Sequence, residues 1–167
     1  MCPLKRFGLR TKRPSFTELP DPSRLEVGRL LNARDFRHLI RGVHFAGAFG
    51  MVEHESRLID LLSYSGYGSS NIRAVAAQAL EQAGTKNCIE PLMGVLGEDS
   101  NTAVAASDTL FSLANRHQEY FPSIGHLMLK KKNIRFQRGA AEVRFGKMLN
   151  IIGKFGFKKA ASEGKNK

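Results

Sequence analysis

Residues 71–80 read NIRAVAAQAL, and thirty residues later residues 101–110 read NTAVAASDTL. Placed without gaps, the two stretches share the asparagine, one alanine and the final leucine, and a serine precedes each of them. The segments upstream match as well, since Ile59 aligns with Ile89. A period of this size is typical of a repeat protein, in which each unit buries its apolar face only by packing on the next. The repeat therefore decides the fold, and it favours binding over catalysis.

The spacing of apolar residues around the repeat predicts helices and no strands. The first helix is expected to start at Ser23, which can act as the N-cap, with Glu26 completing a capping box three residues later. A degenerate copy of the repeat precedes the clear ones, because residues 40–43 resemble residues 72–75. The later helices are predicted at 35–51, 55–64, 71–83, 87–97, 101–115, about 121–128, and 139–152.

Residues 72–80 resemble the second helix of a HEAT-like repeat, in the short form found in phycobilin-lyase-type HEAT proteins. The second copy departs from this pattern, because Ala103 stands where arginine is expected and Ser107 replaces an alanine. The resemblance implies stacked helix hairpins with a curved binding surface, and it is nearly silent on function because such repeats serve many roles. The matching residues are Ile72, Arg73, Ala76, Ala77, Ala79 and Leu80 in the second helix, and Ile89, Leu92 and Leu96 in the first.

Together these patterns predict an all-α chain, an α-solenoid of about three to four HEAT-like helix hairpins with extended basic termini. Residues 1–22 are expected to form an extended basic segment, because four prolines oppose a long helix there. Residues 23–152 are expected to form the helical repeat domain, and residues 153–167 a flexible basic tail.

Charge is distributed very unevenly along the 167 residues, whose formal net charge is +11. Residues 1–13 carry five basic side chains and no acidic one, and residues 130–167 carry twelve basic against two acidic. The central residues 14–129 carry nine basic against thirteen acidic. Such asymmetry indicates an anionic partner, namely nucleic acid, a phosphate-rich surface or an acidic protein.

The basic ends supply the predicted anion-binding residues, which would contact phosphates without reading sequence. The alternative is that these residues only solubilise the ends. Phe155 and Phe157 lie among lysines, so they either stack on bases or cover the open end of the solenoid. The predicted residues are Lys5, Arg6, Arg10, Lys12, Arg13, Lys130, Lys131, Lys132, Arg135, Arg138, Arg144, Lys147, Lys154, Lys158 and Lys159.

Three arginines recur at one position of the repeat, namely Arg41, Arg73 and Arg135. One interpretation is a ladder of guanidinium groups that binds an anion. The other is that each arginine pairs with a nearby acid such as Asp60, or packs its aliphatic part at the start of its helix.

The remaining motifs argue against several classes of protein. The five histidines and two cysteines lack metal-ligand spacing, and no nucleophile or P-loop motif is present, so we expect no catalytic residue, metal or cofactor. No apolar run is long enough to span a membrane, and the N-terminus lacks the apolar region of a secretory signal. The expected location is an intracellular, reducing compartment, most simply the cytoplasm, with an organelle presequence as a minor alternative.

The function expected from these observations is a non-enzymatic binding or scaffold subunit of a larger assembly. The solenoid would dock a protein, and the basic ends would contact RNA, DNA or another polyanion, with no membrane involved. One alternative is a protein–protein adaptor that touches no nucleic acid. A second alternative, drawn from the resemblance, is a lyase or chaperone for a small-molecule adduct.

Overall fold

The computed structural model describes residues 21–130, and side chains are described from residue 24 to residue 127. Within this part of the chain every regular element is helical, which confirms the all-α prediction there. Short 3₁₀ turns precede α3, α5 and α7, and a further turn follows α5. The helices are α1 (Asp21–Leu31), α2 (Phe36–Ala48), α3 (Glu55–Leu61), α4 (Ser69–Ala83), α5 (Ile89–Gly94), α6 (Ser100–Arg116) and α7 (Phe121–Lys130).

The start of α1 differs from its prediction. The helix already begins at Asp21, so Ser23 lies inside the first turn, and the prediction that it is the N-cap was wrong. The first helices of the two clear hairpins are also shorter than predicted. α3 ends at Leu61 and turn residues follow it, whereas 3₁₀ turns replace α-helix at both ends of α5. The helix predicted at residues 139–152, the N-terminal segment up to residue 20 and the tail from residue 153 lie outside the described residues.

The end of α2 depends on a glycine that the periodicity did not single out. Gly50 has a φ of +61°, its N–H donates to the carbonyl of Gly47, and the N–H of Met51 donates to the carbonyl of Ala46. This pair of bonds is a Schellman motif, which requires a left-handed residue after the last helical turn. The helix therefore stops at Ala48, three residues before the predicted end.

The second helices of successive units form the centre of the described part. α4 lies between α2 and α6 and contacts both of them. α1 packs on α2, α3 on α4 and α5 on α6, while α7 contacts α5. Each of α2, α4 and α6 therefore contacts both the helix that precedes it and at least one other second helix.

Most apolar residues that define the repeat are buried in this packing, although Ile59, which aligns with Ile89, is only half-buried. Ile72, Leu80, Leu92 and Leu110 are fully buried, and Ile89 is 2% exposed. Burying a side chain of this size contributes about 1.5–3 kcal/mol relative to leaving it in water. The repeat pattern is thus the pattern of the hydrophobic core.

Helices α2 and α4 approach each other very closely. A Cβ atom built on Gly47 would lie 2.7 Å from Cα and 2.8 Å from Cβ of Ala79, which is closer than non-bonded carbon atoms pack. Ala76 and Ala77 of α4 are also fully buried. Small residues at this interface therefore let the two helices pack at close distance.

Several side-chain hydrogen bonds connect residues about one repeat apart. The hydroxyl of Thr109 donates to the carbonyl of Ala77 at 2.8 Å, across a separation of 32 residues. Thr85, 30 residues after Glu55, donates to that buried carboxylate from both its N–H (2.6 Å) and its hydroxyl (2.9 Å). A buried polar group costs free energy unless it is bonded, so these pairs fix the register of one unit against the next.

Candidate functional site

The predicted anion-binding residues lie almost entirely outside the described part of the chain. Lys130 is the last residue of α7, and its side chain is not among those described. The other fourteen belong to residues 1–20 or 131–167, so whether they come together stays a prediction. The candidate site must therefore be built from surfaces between residues 24 and 127.

The expected ladder of repeat arginines is not formed by its two described members. Arg73 donates to Asp99 at 2.8 Å and to the carbonyl of Tyr64 at 3.4 Å, with only 20% of its side chain exposed. Arg41, by contrast, is exposed on α2. Arg73 is thus bound within the protein, its partner is Asp99 and not the expected Asp60, and Arg135 lies outside the described residues.

Asp99 joins the start of α6 to α4. It is the N-cap of α6, accepts from the N–H of Thr102 at 3.0 Å, and accepts from the hydroxyls of Ser70 and Thr102 at 2.7 Å each. Burial acts to raise the pKa of Asp99, but the hydrogen bonds from Ser70, Thr102 and Arg73 outweigh it and hold the pKa well below the usual 3.8. Every contact of this ionised carboxylate holds two helices in place, so its role is structural.

Asp99 is the structural residue that the sequence analysis overlooked. The predicted helices at 87–97 and 101–115 leave a connection between them that contains Asp99, but the apolar periodicity assigns no role to this aspartate. An acidic residue placed directly before a helix is an N-cap signature, and this signal would have identified the cap. Nothing in the linear sequence indicates that Ser70 and Arg73 also reach it.

The face formed by α2, α4 and α6 carries two neighbouring grooves, each of about 480 Å³. One lies between α2 and α4 and the other between α4 and α6, and both are lined by Val75 and Gln78. Because the grooves share these residues, the surface runs without a break across the three helices. The lining of the α4–α6 groove is Asn71, Ala74, Val75, Gln78, Ser100, Asn101, Val104, Ala105 and Asp108.

Small apolar residues and amides dominate this face, which we call the three-helix face, meaning the linings of these two grooves. Ala74, Val75 and Val104 are half-buried, while Asn71 and Gln78 are exposed. Apolar area with a polar border is the usual composition of a protein-docking surface. Such a surface suits a partner protein better than a small substrate, which needs an enclosed site.

A third groove, of about 720 Å³, separates α1 from α3. Its walls carry Arg24, Arg29 and Arg57 together with Glu53 and Asp60, so both signs of charge are present. Arg57 donates from Nε to the carbonyl of Leu31 at 3.1 Å and so ties α3 to the end of α1. The groove is therefore polar, and one of its arginines is already used to hold the fold together.

The described side chains offer little catalytic chemistry. Burial and, to a lesser extent, the nearby charge of Glu55 raise the pKa of the Cys88 thiol to about 12, so the thiol stays protonated and unreactive at neutral pH. Between residues 24 and 127 there is no group of three or more His, Cys, Asp or Glu side chains that could hold a metal ion. No described helix is both long and apolar enough to cross a membrane.

Comparison with known proteins gave no match, since no family model, no curated protein and no solved structure is significantly similar to the chain. Conclusions about function must therefore come from the surfaces and charges described above.

Proposed function

We propose that this chain is a non-enzymatic binding or scaffold subunit built on a HEAT-like α-solenoid of three to four hairpins. Two observations support this architecture. The second helices α2, α4 and α6 follow one another in space, and hydrogen bonds such as Thr109 to Ala77 and Thr85 to Glu55 connect residues 30–32 positions apart. Stacked units of this kind create an extended surface that can bind a partner.

The three-helix face is the observation that carries the proposed function. It is continuous across α2, α4 and α6, it is lined by small apolar side chains and amides, and the charged residues in its linings are few. A partner protein would cover this face. The basic ends would then contact RNA, DNA or another polyanion in the same assembly, since they carry seventeen basic against two acidic residues while residues 14–129 carry an acidic excess.

The alternative function is an adaptor whose basic ends meet acidic protein instead of nucleic acid. Both proposals use the same three-helix face, and both predict binding that weakens as salt increases. Competition separates them, because nucleic acid would displace one kind of partner and an acidic polypeptide the other.

A capture experiment with the full chain tests the proposal. The wild type is compared in nuclease-treated and untreated lysate with Gln78→Arg on the three-helix face and with a Lys130→Gln, Lys131→Gln, Lys132→Gln triple variant. Lys86→Gln, a change at an exposed lysine outside the three-helix face and the basic ends, is the control.

We expect nucleic acid to co-purify with the wild type and to be reduced in the triple variant. A protein partner that survives nuclease should be lost from Gln78→Arg and retained by Lys86→Gln. If acidic protein, and no nucleic acid, is lost from the triple variant, the adaptor function replaces the proposed one. If no variant changes the captured material, neither surface binds and the proposal is wrong.

A further inference from the structure

The outward face of α2 combines arginines with an exposed aromatic ring. Arg37, Arg41 and Phe45 follow one another at intervals of four residues and are all exposed, Phe45 to 39%. Residues four apart lie on one side of a helix. The opposite side of α2 holds Leu39 and Val43, which are buried. These three residues therefore form one exposed row, which we call the α2 row.

The arginines of this row are free to meet an external anion. Between residues 24 and 127, neither Arg37 nor Arg41 makes an ion pair or a side-chain hydrogen bond, unlike Arg73. The nearest acid along the chain, Asp35, is engaged as the N-cap of α2 and by the ring of His38 at 2.8 Å. Among the described side chains, no partner has to be displaced before these guanidinium groups bind.

The row also lies in the basic part of the described body. Residues 24–44 carry five arginines against two carboxylates, whereas residues 45–127 carry four basic side chains against nine acidic ones. The arginines of α1 share the α1–α3 groove with Glu53 and Asp60, so their charge is partly offset there. Arg37 and Arg41 of α2 do not line that groove, and their positive charge attracts an anionic ligand.

The ring of Phe45, the aromatic residue of the α2 row, stacks on the ring of Phe49. Phe45 and Phe49 are stacked, with ring centres 6.3 Å apart and planes inclined by 22°. A supported, partly exposed ring beside arginines is the arrangement on which single-stranded nucleic-acid binders stack a base. A duplex keeps its bases stacked on one another and offers no free base to such a ring.

We propose that the α2 row binds single-stranded nucleic acid, with a base stacked on Phe45 and phosphates contacted by Arg37 and Arg41. This inference rests on the proposed nucleic-acid function, and it adds a site on the described helices and a preference for single strands. The basic ends would supply further phosphate contacts. Because stacking and phosphate contacts tolerate any base, sequence preference should be weak.

The test measures binding of the full chain to a fluorescent twelve-nucleotide oligo-U and to a duplex of equal length, by anisotropy over a series of salt concentrations. Phe45→Ala is expected to weaken oligo-U binding about tenfold, and Phe45→Trp to restore it with quenching of the new indole on binding. The Arg37→Gln, Arg41→Gln variant should reduce the slope of log K against log salt by about 1.4, from two lost contacts of about 0.7 each.

Matched controls lie outside the row. Leu25→Ala removes an exposed apolar side chain on α1, 68% exposed against 39% for Phe45. The Lys86→Gln, Arg116→Gln variant removes the same charge as the arginine variant. Both controls should bind like the wild type, and circular dichroism with a thermal melt checks that every variant is folded.

Three outcomes would overturn the inference. If the wild type binds oligo-U and the row variants bind equally well while Lys130→Gln, Lys131→Gln, Lys132→Gln binds less, the nucleic-acid function stands and the α2 row is not its site. If duplex binds as tightly as oligo-U and Phe45→Ala changes neither, the row is not a base platform. If the wild type binds neither, the proposed nucleic-acid function fails together with this inference, and binding to anionic vesicles or poly-glutamate identifies the alternative anion.

Discussion

The two sides of α4 are joined to their neighbours in different ways. Towards α6, Arg73 and Ser70 meet Asp99, Thr109 donates to Ala77, and Ser112 donates to Glu81 at 2.8 Å. Towards α2, the contact is close and apolar, with Gly47 lying against Ala79. Among the described side chains, no hydrogen bond joins α2 to α4. We call these contacts the polar seam and the dry seam.

This difference between the two seams matches the degree of similarity between the repeats of this chain. The polar seam joins the two units whose sequences are most alike, and the dry seam joins α4 to the degenerate copy that contains α2. Hydrogen bonds specify one register, because a shift leaves buried groups unbonded, whereas close packing of small residues contributes dispersion and specifies position by shape. The two seams therefore predict different responses to mutation.

The largest effect is expected from removing the centre of the polar seam. Asp99→Ala removes the N-cap of α6, and the loss of such a cap costs about 1 kcal/mol of stability. It also leaves Arg73 without its ionic partner, and the loss of a hydrogen bond to a charged group costs about 1.5–3 kcal/mol. We expect the free energy of unfolding, measured in urea, to fall by about 3 kcal/mol. Glu98→Ala, at an exposed neighbour, should change it by less than about 0.5 kcal/mol, and equal effects would contradict the role of Asp99.

A glycine substitution tests the dry seam. Gly47→Ala places a methyl group against the backbone of Ala79, which should cost about 1–3 kcal/mol and exceed the gain of about 1 kcal/mol in helix propensity. Gly28→Ala is the matched change in α1, where the new Cβ would meet only His54 at 3.5 Å. Thermal melts should show Gly47→Ala less stable and Gly28→Ala equal to or more stable than the wild type. The same sign for both would show that α2 and α4 are not closely packed.

Acid should loosen the polar seam selectively. The folded pKa of Asp99 is lowered, so its contribution is present above the unfolded value near 3.9 and is lost as pH falls below it. Between pH 5 and pH 3 the wild type should therefore lose more stability than Asp99→Asn, which has no proton to gain. Urea titrations at the two pH values measure this difference, of the order of 1 kcal/mol. Parallel losses in both proteins would place the acid sensitivity elsewhere.

The smallest effects on stability are expected from two hydrogen bonds of the polar seam, one buried and one accessible to water. Thr109 is 1% exposed, so Thr109→Val leaves the Ala77 carbonyl without this bond and should cost about 1 kcal/mol. Ser112 is only half-buried, and water can replace it at Glu81, so Ser112→Ala should cost less than about 0.5 kcal/mol. Urea unfolding of both variants gives the comparison. A larger loss for Ser112→Ala would mean that burial does not rank the bonds of this seam.

Much of the helical structure could be predicted from the sequence, because the spacing of apolar residues reflects which side of each helix is buried. Leu80 and Leu110 recur at one position of the repeat because each is buried in the core of its own unit, and that regularity is visible in the linear sequence. The helix ends were harder to predict. Gly50 ends α2 through its left-handed backbone, a feature that the apolar period cannot indicate.

The candidate site was predicted less well, for a physical reason. A repeat alignment compares equivalent positions, but Arg73 reaches a non-equivalent residue, Asp99, 26 positions later at the start of the next second helix. The choice between Asp60 and Asp99 depends on the angle between hairpins, which no linear spacing contains. The α2 row is visible in the sequence, because Arg37, Arg41 and Phe45 follow one another at intervals of four residues. It is easily missed, because α2 belongs to the degenerate copy of the repeat.

Native-state hydrogen exchange along α2, α4 and α6 tests the contrast between the seams most directly. If the polar seam makes α4 and α6 one cooperative unit, their most protected amides will exchange with a common, highest free energy of opening, and α2 will open separately at a lower one. Asp99→Ala should then lower the protection of α6 towards that of α2. If α2 is protected as strongly as α4 while α6 opens alone in the wild type, the dry seam is the stronger connection and the account is contradicted.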